Sequence, residues 1–205
     1  MTPETTQQLI YRTANRLFGQ PIIQNQFRST FVEAMIEPYL ADAGWRYVGS
    51  DWNGWDFERN GQRLEVKQSA RVQSWSFARR KLTRPTFDIA PRTGYFHENG
   101  ASWVSLPGRI ADVYVFAWHG VEPYGPLADG NPYPVDQRDA SQWVFYVVPA
   151  SALPADAKTI SLRTIERRLP VQAVPIEKLS IEIEGSLKRV REVQATASWA
   201  ILDPS

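Results

Sequence analysis

Apolar and polar residues alternate in two short runs between Trp52 and Ala70, on either side of Asn60-Gly61. That dipeptide favours the two-residue loop of a tight β-hairpin, so the pattern predicts two antiparallel strands. With Asn60 and Gly61 as the loop, Glu58 faces Arg63, Phe57 faces Leu64, Asp56 faces Glu65 and Trp55 faces Val66. Trp55, Phe57, Leu64 and Val66 then share a core face, and Asp56, Glu58, Arg63, Glu65 and Lys67 share the other.

Helical spacing precedes the hairpin. Thr2-Pro3-Glu4 reads as an N-cap, a first-turn proline and a first-turn acid, opening a helix to about Phe18. Its stripe of Ile10, Ala14, Leu17 and Phe18 predicts packing against the core. A second helix is expected over Gln26–Ala43, where Phe27, Phe31, Met35 and Tyr39 recur every four residues beside Val32, Ile36 and Leu40. Pro38 is expected to kink or break it. Trp45–Val48 begins a strand. After the hairpin, Thr86–Ala90 alternates like a strand, and residues 91–107 form a long excursion or a second hairpin. Ala111–Trp118 and Gln142–Pro149 are nearly all apolar, which predicts strands buried on both faces. Asp112, at the start of the first, is expected to be structural. Lys158–Leu162 is a short edge strand or the cap of a helix through Arg168. Ile176–Val190 is helical despite Gly185, and Ala195–Leu202 is expected to add a last strand. The sum is an α/β fold. A single domain covers residues 1–205, with an N-terminal helical extension (1–25), a core (26–168) and a C-terminal helix and tail (169–205).

Composition narrows the chemistry. The absence of cysteine excludes disulfides and thiolate metal sites, and with only His97 and His119 a histidine-rich zinc site is not expected. A net charge of +1 gives no global electrostatic argument for nucleic acid, so any such surface must be a local patch. No apolar run is long enough for a transmembrane helix and the start has no signal-peptide pattern, so a soluble, cytoplasmic protein with no membrane partner is expected.

Asp56 opposite Glu65 is an unfavourable cross-strand pair, because like charges sit roughly 5 Å apart at Cβ. Lys67, two residues beyond Glu65, leaves the strand on the same side. Two carboxylates and an ammonium on one face are suited to a hard cation such as Mg²⁺ and a phosphate. This set resembles the PD-(D/E)xK, or restriction-endonuclease-like, nuclease superfamily, with Asp56 and Glu65-Val66-Lys67 as the motif and Trp55 in place of the proline. The buried runs and Lys-Thr-Ile-Ser-Leu extend the resemblance, over roughly Gln26–Arg168, to a group of small bacterial proteins within it. The resemblance implies a restriction-endonuclease-like core, with a central mixed β-sheet flanked by helices, and Mg²⁺- or Mn²⁺-dependent hydrolysis of DNA. Asp56, Glu65 and the Val66 carbonyl would be metal ligands, with Lys67 acting on the phosphate or water. Glu33, 23 residues before Asp56, resembles a further acidic residue that the superfamily often carries on the preceding helix.

Arg71, Arg79, Arg80, Lys81 and Arg84 fall in a segment without acidic residues, interleaved with Trp75 and Phe77, which predicts contact with a phosphate backbone. Double-strand cleavage by paired sites makes a homodimer a candidate assembly. The rival expectation is a catalytically inactive module of the same fold that binds DNA or another partner. A structural protein without a nucleic-acid role ranks below both.

Overall fold

A computed structural model describes residues 5–49, 53–75, 82–97, 102–122 and 135–202, with the side chains of 193–202 excepted. Helix α1 (Thr6–Phe18) leads to α2 (Asn25–Ala41), β1 (Arg46–Tyr47), β2 (Phe57–Arg59) and β3 (Gln62–Ala70). The middle of the chain supplies β4 (Thr86–Asp88), β5 (Arg92–His97), β6 (Ser102–Gly108), β7 (Val113–His119) and β8 (Trp143–Pro149). Strand β9 (Thr159–Ser161), α3 (Leu162–Arg168) and α4 (Leu179–Leu202) complete it. The main sheet runs β1-β2-β3-β7-β8, with β3 parallel to β7 and the other pairs antiparallel, so it is mixed. Strands β4 and β9 form a small second sheet, and β5 and β6 form a hairpin of their own.

The parity of β7 explains why this sheet is buried on both sides. Val113, Val115 and Ala117 face α2 and α4 together with Leu64 and Val66 of β3. Tyr114, Phe116 and Trp118 face the other way, against Phe87 of β4, Ile160 of β9 and Ile165 of α3. Side chains alternate along a strand, so an uninterrupted apolar run fills two cores at once. Asp112 is structural, as expected: its carboxylate accepts the Arg63 backbone N–H at 2.8 Å and its own N–H donates to the Arg63 carbonyl at 2.9 Å.

Several expectations are corrected. Helix α1 starts at Thr6, capped by Thr5 in a capping box with Gln8, and Thr2–Glu4 lie outside the described residues. No residue of α1 is buried, and Ile10 of its stripe is 56% exposed. Only its end is anchored among the aromatic contacts, where Phe18 meets Phe31 at 5.5 Å. Helix α2 runs through Pro38 without interruption. Its buried line is Arg28, Val32, Ile36 and Leu40, with Glu33 beside it, while Tyr39 is exposed. The aromatic repeat is therefore the flank of the helix face, and the line beside it is its centre. Residues 195–202 continue α4 in place of a last strand.

Candidate active site at the open edge of the third strand

The hairpin tip follows the expected register, with Arg59 opposite Gln62, Glu58 opposite Arg63 and Phe57 opposite Leu64. Asn60 and Gly61 both have positive φ, at 50° and 77°, as a type I′ turn requires. Fully buried Phe57 and Leu64 hold this register, since a one-residue slip would expose side chains each worth about 1.5–3 kcal/mol of burial.

The ladder stops there, which corrects the direct Asp56–Glu65 and Trp55–Val66 pairings. The Asp56 N–H donates to the Leu64 carbonyl at 3.0 Å, and the Asp56 carboxylate accepts the Val66 N–H at 2.7 Å. A charged side-chain acceptor thus takes the place of the next main-chain carbonyl, and charge-assisted bonds of this kind are stronger than neutral ones. Trp55 leaves the Phe57 face as a result. Its ring lies under the Arg63 guanidinium at 4.2 Å and meets Tyr95 edge-on at 5.0 Å.

Because β2 starts at Phe57, no strand among the described residues pairs with the second half of β3 on that side, and Asp56, Glu33, Glu65 and Lys67 interact there. Val66 directs its N–H to this edge. Its carbonyl leaves on the same side, because both backbone groups of a strand residue point one way. Glu65 and Lys67 project from one face and form an ion pair. Glu33 reaches the cluster from α2, where it is 8% exposed and accepts the Tyr47 hydroxyl at 3.1 Å. The Asp56 carbonyl accepts the N–H groups of Val48 and Gly49, at 2.8 and 3.0 Å, which ties the residues after β1 to the residue before β2.

Electrostatics ties the four groups together. Burial raises the Asp56 carboxyl well above its ordinary range, and the charges of Glu65 and Glu33 push it further, against the Val66 hydrogen bond and Lys67. Glu33 is raised by burial and by Glu65, opposed by Tyr47. Burial works to depress the Lys67 ammonium, but Glu65 and Asp56 outweigh it and the net shift is upward. Lys67 is therefore a charged donor at neutral pH and is unsuited to act as a base. The Tyr47 hydroxyl is pushed up by burial and Glu33, so it remains a protonated donor.

Among the described residues no group of three or more His, Asp or Glu side chains is gathered to hold a metal ion. The donor set available is smaller: two carboxylates, Asp56 and Glu65, with the Val66 carbonyl between them in sequence. All three are hard oxygen donors of the kind Mg²⁺ and Mn²⁺ prefer, and a cation there would offset the repulsion felt by Asp56.

The basic segment is only partly in view. Its ends are pinned, as the Thr83 N–H donates to the Arg71 carbonyl at 3.0 Å and the Thr83 hydroxyl to that of Ala70 at 2.7 Å. Arg71 lies about 13 Å along β3 from Lys67 and forms an ion pair with Glu122. Arg84 is exposed. Arg79, Arg80, Lys81 and Phe77 lie outside the described residues, and Trp75 is 60% exposed.

Two site residues are not evident from the sequence. Tyr47 looks like an ordinary strand aromatic until β1 aligns it with Phe57 and its hydroxyl meets Glu33. Arg92 lies in the segment between β4 and β6, where only the fold returns it to a cavity wall beside Glu65. Comparisons of the chain with protein-family models and with curated proteins find no match.

Proposed function

We propose that the protein is a metal-dependent nuclease that hydrolyses DNA phosphodiester bonds endonucleolytically, on a restriction-endonuclease-like core. The observation that carries this reading is the cluster on β3, where Asp56, hydrogen-bonded to the Val66 N–H, is raised by burial and then by the charges of Glu65 and Glu33, beside the Glu65–Lys67 ion pair. Such an excess of negative charge suits a divalent cation. Asp56, Glu65 and the Val66 carbonyl would hold Mg²⁺ or Mn²⁺, which when bound supplies Lewis-acid stabilisation and a more acidic water. Lys67 presents its ammonium to a phosphate oxygen. Glu33, held by Tyr47, accepts a hydrogen bond from water at the cluster's rim. The mixed sheet, with a hairpin feeding a strand parallel to β7, supports the fold assignment. DNA is preferred to RNA on the strength of the sequence resemblance. Arg79, Arg80, Lys81 and Arg84 are assigned to the phosphate backbone, with Arg71 at the segment's base.

The second reading, an inactive module of the same fold, is favoured by one observation: the Lys67 ammonium is paired with Glu65. Calorimetric titration with Mn²⁺ separates the two. The nuclease reading predicts saturable heat that disappears in Asp56→Ala. Equal heats, or none in either protein, would favour the inactive module.

A further inference from the structure

The β5–β6 hairpin is the least explained element near the cluster. It belongs to neither main core, yet it forms a wall of a cavity of about 410 Å³ whose lining includes Asn53, Gly54, Glu65, Arg92, Phe96 and Trp103. A second cavity of about 290 Å³ shares Asn53 and Phe96 with the first, and the two adjoin. Arg46, paired with Glu58, lines the second cavity, and Arg92, paired with Asp88, lines the first.

Trp103 is held as a platform. Its ring meets Phe96 edge-on, with centroids 5.0 Å apart and planes at 69°. A Cβ placed on Gly94 would come within 2.7 Å of the indole and 2.2 Å of the Val104 carbonyl, so the ring lies against bare backbone that only glycine provides. Trp103 is nonetheless 50% exposed, although it lines the cavity. A large aromatic supported by glycine and a second ring, with its remaining surface toward a cavity, offers a stacking partner for a flat ligand. Asn53, whose amide donates to the Val48 carbonyl, and Arg92, whose guanidinium pairs with Asp88 at 2.8 Å, are the polar side chains of the same wall and hold its shape around the ring.

We infer that this cavity takes an unpaired base of a nucleic-acid strand, stacked on Trp103, next to the cluster that contains Glu65. The substrate class is then single-stranded DNA, or the unpaired part of a flap or end, in preference to intact duplex. Only this positioning of the base relative to a cleavage site rests on the proposed nuclease function. Base capture itself does not.

The test is binding without divalent metal, so that cleavage plays no part. Fluorescence anisotropy with the full chain in EDTA should show tighter binding of a labelled oligothymidylate than of a blunt duplex of equal length. Trp103→Leu keeps apolar bulk over Gly94 but removes the aromatic face, and should weaken single-strand binding roughly tenfold. Trp103→Phe should retain most of it. In the wild-type protein, 2-aminopurine placed in a single strand should be quenched on binding. Unchanged affinity in Trp103→Leu, equal losses in the Leu and Phe variants, absent quenching or preference for blunt duplex would each overturn the inference. Thymidine 5′-monophosphate competing as well as the oligomer would also overturn it, in favour of a free-nucleotide site. A protein that binds through Trp103 but never cleaves with Mn²⁺ would refute the nuclease reading and leave this one standing.

Discussion

Asp56 serves two purposes that conflict. Its carboxylate completes the edge of β3 by accepting the Val66 N–H, yet burial, and after it the charges of Glu65 and Glu33, raise it well above the ordinary value of 3.8. The sign of the effect on stability follows from linkage. Below about pH 3.8 the carboxyl is protonated in the folded and unfolded states alike, and it adds no pH-dependent term. As pH rises above that value the unfolded chain ionises first, and stability is lost until the folded carboxyl has ionised too. Asp56→Asn, which keeps an acceptor for Val66, should therefore melt higher than wild type at neutral pH, with the gain closing in acid. Thermal melts across pH check this, and a variant less stable than wild type at neutral pH would contradict it. Mn²⁺ should raise the wild-type melting temperature and leave Asp56→Asn unmoved, because an ion stabilises only the state that binds it.

Strand β3 and helix α2 decide the geometry between them, and Arg28 joins them. Its guanidinium is 1% exposed and donates to the side chains of Asn25, Gln68 and Gln73, the last at 2.9 Å. Burial lowers its pKa to about 10, so it stays charged. Arg28→Ala leaves those acceptors unsatisfied beside a void and should cost roughly 3 kcal/mol in urea unfolding. A loss below about 1 kcal/mol would mean that the network is dispensable. Arg28 also shows what the sequence concealed. An arginine inside an apolar helix reads as a solvent marker, so the aromatic repeat beside it looks like the buried face. Its role depends on Gln68 and Gln73, which only the fold brings near. The hairpin tip was legible because Asn-Gly and strict alternation are local signals. The end of the ladder was not, because it depends on a side chain replacing a main-chain acceptor and on Trp55 finding Arg63 and Tyr95. The interaction of Asp56, Glu65 and Lys67 was legible as spacing, whereas Tyr47 and Arg92 come from strand pairing and a returning hairpin.

At the scale of the whole molecule, a net charge of +1 leaves little long-range attraction for DNA, so the proposed function needs its affinity from local patches and stacking. No helix among the described residues is long and apolar enough to cross a membrane. Reversing the charges of Arg79, Arg80, Lys81 and Arg84 together should reduce the slope of log affinity against log salt by roughly 3, if each contacts one phosphate. An unchanged slope would make the segment a solvated surface. The most direct measurement of the central claim is cleavage of labelled single-stranded and duplex DNA, with Mg²⁺ or Mn²⁺, by wild type and by Asp56→Ala, Glu65→Ala and Lys67→Ala. Metal-dependent cleavage by wild type is predicted, with a loss of at least about 10²-fold in each variant and circular dichroism showing each still folded. Full activity in any one of the three, or activity in wild type that persists in EDTA, would contradict it.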